Sequence, residues 1–394
     1  MSDALIYLTY LGVILLLGLV CTAVAKRLKL PSVLLLILAG IALNRLEYQG
    51  HQLINLPEVF LTSIGILSLV MVVFDSASNF KIKEFDKASL PAVKLTITFL
   101  LFCITLLSFS AHYLYGASWG LSVLFAALMA GTAADVVLFI MPETSNKLLQ
   151  MLEVESIINT PIIVLIPFIM LDFIQSVQPE LLMTRFIEQI APFLQQIVTG
   201  IGAGVLIGLI ILKAMKRWYS EKLSPLALTI AALLTYVLAE NLGGNGVLAV
   251  TTMGLLFGSV YIKQKSKIMG FSSIFSNSLE ILLFILVGFI VTIPLTPRFF
   301  IFSIGFFIIH LCARYFAVLA SFRKKYSLRE KLFITLNSPK GIAVAVVVFI
   351  LATKNIVGME EITDLVLAAM LYSIIVSSIV AKFSKYFIHR EIIK

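Results

Sequence analysis

Two short polar stretches, Gly131-Thr132-Ala133-Ala134-Asp135 and Asn337-Ser338-Pro339-Lys340-Gly341, interrupt otherwise apolar runs of the chain. A third apolar run carries Glu155-Ser156-Ile157-Ile158-Asn159-Thr160. At 3.6 residues per turn, Glu155 and Asn159 share one helix face, with Ser156 and Thr160 beside them. Counted from the basic end of its run, Asn159 lies about ten residues in, on the order of 15 Å deep. Thr132, entering from the opposite end of its own run, reaches a similar level. Hydroxyls, an amide oxygen, a carboxylate and carbonyls freed by the interruptions are hard oxygen donors that can replace the water around a small monovalent cation. The plainer reading is that these polar groups only hydrogen-bond helix to helix. Their coincidence with the interruptions favours an ion site.

The elements that must position these residues span a membrane. The 394 residues are 60% hydrophobic and only 13% charged, where a soluble domain carries nearer a quarter. Apolar windows define about thirteen spans, at roughly 4–24, 31–44, 58–78, 89–115, 118–141, 149–173, 188–212, 224–241, 245–262, 272–294, 298–320, 330–353 and 362–384. Several windows, 31–44 and 245–262 among them, are shorter than the roughly 20 residues a straight crossing needs. No long polar block separates the runs, so residues 1–394 read as one membrane domain. Met1 to Leu11 has no basic residue, which argues against a cleaved signal peptide and for a retained first span. The three cysteines, Cys21, Cys103 and Cys312, all fall in apolar runs and offer neither a disulfide framework nor metal spacing. No cofactor or resident metal is expected, and no phosphate-binding G-x-x-x-x-G-K-[ST] run or other enzymatic motif is present.

A net charge of +9 could suggest nucleic acid, but its distribution reads as topology. Alternate loops hold Lys26, Arg27 and Lys29; Lys81, Lys83 and Lys87; Lys147; Lys213 to Lys222; Lys263 to Lys267; Arg323 to Lys331; and Lys382 to Lys394. The opposite loops hold only Arg45, Arg185, Arg298 and Lys354. Basic loops stay cytoplasmic, which places the N-terminus outside, the C-terminus in the cytoplasm and the protein in the cell membrane. Lys94, Arg314 and Lys340 remain inside spans. Lys94 can snorkel, whereas charges as deep as Arg314 and Lys340 mark function by default. The two interruptions fall in the fifth and twelfth spans. An odd offset makes those helices run in opposite directions, the geometry of inverted repeats with discontinuous helices at a midplane site.

Several stretches resemble one family. Glu155-Ser156-x-x-Asn159 is similar to the ES-x-x-ND signature of NhaP-type sodium/proton exchangers, a branch of the monovalent cation/proton antiporter superfamily. Leu238 to Val250 resembles its LAE-x-LGGSGVLAV stretch, Leu282 to Gly288 its FFVLLG helix, and Pro339-Lys340-Gly341-Ile342-Ala343 its P-R/K-G-x-A break. The resemblance covers most of residues 5–385. It implies an all-α polytopic fold of about thirteen helices, with two discontinuous helices crossing. Core-type helices at about 58–175 and 272–386 would slide against scaffold and dimerisation helices at about 4–44 and 188–262. It further implies a homodimer that exchanges Na+ or Li+, alternatively K+, for H+, one for one.

The same resemblance assigns residues. Glu155 corresponds to a structural glutamate paired with an arginine of the eleventh span, which Arg314 fits. Thr132, Ser156 and Asn159 correspond to ion-site positions. Thr160 stands where the family has the aspartate that binds cation and proton in turn, and a threonine cannot carry that proton charge. Asp135 is expected to take the role. The alternatives are that it caps a half-helix, or is an ordinary residue of the break in a protein that has lost coupling. Lys340 is expected to support the break by neutralising carbonyl ends of the twelfth span, or by pairing with an acid. Asp75 is a candidate funnel acid. Asp172, Glu240 and Glu280 are expected near span ends, and His310 is expected to be a hydrogen-bonded packing residue rather than a pH sensor. If the carrier carboxylate is lost, a cation channel or leak, or a non-transporting sensor, competes with exchange.

Overall fold

Each apolar window forms a helix, because inside a bilayer only a helix satisfies every backbone N–H and C=O within one segment. The computed structural model describes residues 3–28, 30–48, 51–52, 56–79, 89–141, 147–176, 186–218, 220, 223–260, 265–290, 293–294, 296–323, 325–353 and 356–388. The fold is all-α and polytopic. Beside its helices, the described residues include only a two-residue antiparallel ladder, Glu47–Tyr48 with His51–Gln52.

The helices are α1 (Asp3–Leu28), α2 (Ser32–Asn44), α3 (Glu58–Asn79), α4 (Ser89–Ser110), α5 (Trp119–Met129), α6 (Asp135–Ile140), α7 (Lys147–Ser176), α8 (Phe186–Arg217), α9 (Leu223–Asn241), α10 (Gly246–Ser259), α11 (Lys265–Ile290), α12 (Pro297–Ser321), α13 (Leu328–Leu336), α14 (Ile342–Ala352), α15 (Met359–Lys382) and α16 (Ser384–Phe387). A π-helical turn, Ala111–Tyr115, prolongs α4. Eight described helices are long and apolar enough to cross a membrane unaided, and Ser32–Asn44, Trp119–Met129, Gly246–Ser259, Ile274–Ile290 and Ile342–Ala352 are shorter apolar helices. The count of thirteen crossings therefore exceeds what length and apolarity alone give. At 13 residues, α2 is about 20 Å long, well short of the ~30 Å hydrocarbon thickness.

Both expected interruptions are real. Residues 130–134 separate α5 from α6, and residues 337–341 separate α13 from α14. Pro339 explains the second. It has no N–H to continue the ladder, and it disfavours helical backbone at Ser338.

The chain divides into two compact units. The first comprises residues 1–65, 87–159 and 279–394, and the second residues 66–86 and 160–278. In the first, α2 meets α11 at Gly40 and Gly288. A Cβ on Gly40 would strike the Ile285 carbonyl and come within 2.9 Å of Gly288 Cα, so only paired small residues permit this approach. In the second, Gly200 and Gly204 on α8 sit against the backbone of Asn245 and Ala249. Asn245 caps α10 through Leu248 N at 2.8 Å. Glu240, exposed at the end of α9, accepts from Gly246 N at 2.9 Å, so the Leu238–Val250 stretch is a capped helix start. Glu280 departs from expectation, lying half-buried within α11 rather than at a span end.

Leucine and isoleucine side chains are exposed along α1 and α8, among them Leu8, Leu16, Leu19, Leu206 and Leu209. Large apolar surface of this kind suits lipid as its solvent.

Candidate functional site at the two helix breaks

The two breaks touch through their backbones. Ala133 N donates to Pro339 O at 2.8 Å, so each unwound segment satisfies part of the other's lost ladder. Thr132, Asn337, Ser338 and Lys340 are all buried here. Asn337 is held by Ser377 Oγ, which donates to its Oδ1 at 2.9 Å, and by its own donation to Phe333 O at 2.9 Å. Ser373 Oγ accepts from Lys340 N at 3.0 Å. Helix α15 thus supports the second break at two points one turn apart.

Lys340 does not neutralise the carbonyl ends of its own broken helix, as expected, but those of the other one. Its Nζ donates to Met129 O and, at 2.9 Å, to Gly131 O, with His310 Nε2 at 3.4 Å. The carboxyl end of α5 carries partial negative charge and orphan carbonyls, and a fully buried ammonium answers both. His310 packs edge-on against Phe99, with ring centroids 5.4 Å apart. Its Nδ1 has no hydrogen-bond partner.

Glu155 and Asn159 project from α7 towards the first break. Asn159 Nδ2 donates to Thr132 Oγ1 at 2.7 Å, with longer approaches to Ala130 O and Thr132 O. Thr132 Oγ1 in turn lies 3.5 Å from Glu155 Oε1. Arg314 closes the chain with a fork, Nη1 to Oε1 at 2.5 Å and Nη2 to Oε2 at 2.7 Å. Its guanidinium also lies 4.8 Å over the Phe99 ring. Both charges are essentially sealed from solvent, at 0% and 2% exposure. Two-point geometry of this kind is what offsets the cost of burying an ion pair.

Of the residues singled out in the sequence, the structure brings together Thr132, Glu155, Asn159, Arg314 and Lys340. Ser156 is half-buried on α7 within the same unit, while half-buried Thr160 and half-buried Asp75, on α3, belong to the second unit. Asp135 opens α6 immediately after the break, but its side chain and that of Asp172 lie outside the described residues. So do many of the basic loop positions, including Lys81, Lys83, Lys87, Arg185, Lys222, Lys263 and Lys354.

Sequence reasoning missed Ser373, Ser377 and Phe99, which carry no signal beyond residue type. It also missed Asp364, which is 6% exposed on α15. That acid was visible as a carboxylate inside the 362–384 window.

The family model for the sodium/hydrogen exchanger, transmembrane, matches residues 12–384. The chain belongs to that family. The chain is 30% identical to the Na(+)/H(+) antiporter ApNhaP of Aphanothece halophytica over 234 residues, 59% of this chain and 43% of that protein. It is 24% identical to the probable Na(+)/H(+) antiporter 2 of Methanocaldococcus jannaschii, covering 95% of this chain and 94% of that one. It is 25% identical to the K(+)/H(+) antiporter NhaP of Alkalimonas amylolytica over 71% of this chain and 49% of that protein. The chain thus spans less than half the length of several curated relatives it matches, among them ApNhaP. The solved structure of the sodium proton antiporter MjNhaP1 from Methanocaldococcus jannaschii at pH 8 superposes with a TM-score of 0.77 at 21% identity, over 98% of each chain. That likeness establishes the fold of the chain.

Proposed function

We propose that this exchanger is a secondary transporter that swaps a monovalent cation, Na+ or Li+ before K+, for protons by alternating access. The observation that carries the reading is the hydrogen-bonded pair of breaks at Ala133 and Pro339, with the oxygens of Thr132 and Asn159 gathered beside it. Discontinuous helices meeting inside a bilayer serve ion coordination in secondary transporters. No enzymatic step is required of it.

Charge balance argues for the carrier. Among the described residues Glu155 and Arg314 cancel, and Lys340 Nζ adds a further basic group against the carbonyls of α5. A second cation enters such a place only with a further carboxylate. Asp135, at the end of the same break, is that group in our reading, with Thr132, Ser156, Asn159 and Thr160 as neutral oxygen donors. In a dehydrated pocket the carboxyl group prefers its protonated form, and a bound cation restores the ionised one. Proton and cation therefore compete for a single acid, which gives one-for-one exchange. The moving core is assigned to about 58–175 and 272–386, and the scaffold of a homodimer to about 4–44 and 188–262. The N-terminus is placed outside and the C-terminus in the cytoplasm of the cell membrane, with Asp75 lining a cytoplasmic funnel.

Dissipation of a pH gradient in proteoliposomes on addition of Na+, Li+ or K+ tests the reading. No cation-dependent dissipation would end it. Exchange of K+ in preference to Na+ is the second reading, favoured by relatives named K(+)/H(+) antiporters. Thr160 at the usual acid position favours a leak if Asp135 does not titrate, and ion currents far above carrier turnover would reveal one.

A further inference from the structure

Asp364 is unexplained by the site above. It lies in the second turn of α15 with 6% of its surface exposed, and it makes no hydrogen bond or ion pair among the described residues. Its electrostatic neighbours are Glu360 and Glu361, one turn earlier on its own helix, and Tyr115 on the π-helical turn after α4. The Tyr115 hydroxyl donates to Glu361 Oε2 at 2.9 Å.

The helix dipole accounts for acids in the first turn, where Glu360 and Glu361 sit, but its benefit fades beyond that turn. It does not account for Asp364. Like charges at i,i+3 and i,i+4 repel, and burial makes the repulsion worse. Arg298, at the start of α12, is a cation on the far side of Tyr115. It is drawn over the Phe302 ring at 5.8 Å and acts on Tyr115 rather than on Asp364. A residue only 6% exposed, its carboxylate one helical turn from a second carboxylate that is bonded to a phenol, and with no counter-charge among the described residues, is poised for a cation.

We propose that Asp364, Glu361 and the Tyr115 hydroxyl form an accessory site for a monovalent cation at the end of the membrane domain where α15 begins. It is distinct from the paired breaks. Ser373, which supports the second break, lies about 13 Å further along the same helix. The cation held at Asp364 is thus a waiting one, on the face that is outer in the orientation proposed above. The identity of that cation rests on the exchange reading, while the site itself does not.

The test uses the full chain in two measurements. In detergent at pH 8, NaCl or KCl should raise the thermal unfolding midpoint relative to choline chloride at equal ionic strength. Part of that rise should survive in the Thr132→Ala, Asn159→Ala variant and be lost in Asp364→Asn. In proteoliposomes with known protein orientation, Asp364→Asn should raise the apparent KM for the cation about tenfold on the α15 N-terminal side only, with Vmax changed less than twofold, as fits loss of one charge contact at a partly solvated site. Glu361→Gln, near the protein surface and safe for folding, should do the same more weakly. Salt stabilisation undiminished in both carboxylate variants would overturn the accessory site. So would an unchanged one-sided KM in an exchanging protein. Absence of exchange in wild type, with Asp364-dependent stabilisation retained, would overturn the transport reading and leave this site standing.

Discussion

Arg314 holds both oxygens of Glu155 from 159 positions away in sequence. The pair locks α12 to α7 beside the first break, while the Glu155 Oε1 that faces Arg314 also faces Thr132. The geometry of the neutral oxygen donors therefore depends on an ion pair that has no exposure to exchange counter-ions.

Breaking that pair leaves one charge buried and alone. Arg314→Ala should cost about 3–5 kcal/mol, read as a large fall in the thermal unfolding midpoint of purified protein. Adding Glu155→Gln to Arg314→Gln should recover part of the loss, because the uncompensated charge is then removed. A double variant no more stable than Arg314→Gln alone would show that the two do not act as a pair.

Lys340 donates to the carbonyls of Met129 and Gly131 at the end of α5. Lys340→Met keeps the bulk of the side chain but leaves those oxygens bare, at about 1–3 kcal/mol for each group left unsatisfied. Proteolysis of the purified variant should reveal faster opening around residues 130–134. If the cleavage pattern and unfolding midpoint match wild type, the lysine does not hold the break.

Asn159 donates its amide to the Thr132 hydroxyl at 2.7 Å, which orients the oxygen for its next contact. Thr132→Val is nearly isosteric and removes that oxygen. It should raise the apparent KM for the transported cation by about tenfold, the scale of one lost ligand contact, with the folded fraction unchanged by size-exclusion chromatography. An unaltered KM removes Thr132 from the ion site.

Asp135→Asn should abolish exchange while leaving the protein folded. In wild type, protons compete with the cation for the ionised carboxyl. Apparent KM should therefore rise as pH falls below the carboxyl pKa, up to about tenfold per unit, and level off above it. Thr160→Asp would restore an acid at the position where the family usually has one, and a gain of exchange in Thr160→Asp, Asp135→Asn would show that this position is still usable. Exchange by Asp135→Asn with an unshifted pH profile refutes the assignment of the carrier.

Membrane class, helical content and the places of both interruptions were legible without coordinates. The reason is that a bilayer tolerates few polar residues, so Gly131 to Asp135 and Asn337 to Gly341 stand out against long apolar runs. Pro339 alone dictates a break, since its missing N–H is a local covalent fact. The pairing of Glu155 with Arg314 was what the family resemblance implied, and a fixed rise per residue made their depths compatible with it. Only the tertiary structure decided which groups satisfy one another. That Lys340 serves the carbonyls of α5 instead of those of its own helix depends on how two segments separated by some 200 residues cross. That Asp364 is buried beside acids of its own helix, whereas Glu240 caps α10 at the surface, depends on how α15 packs beside the π-helical turn and α9 beside α10. Both are carboxylates near helix ends, and no one-dimensional pattern separates them, because Glu240 finds a backbone N–H at 2.9 Å and Asp364 finds no such partner among the described residues.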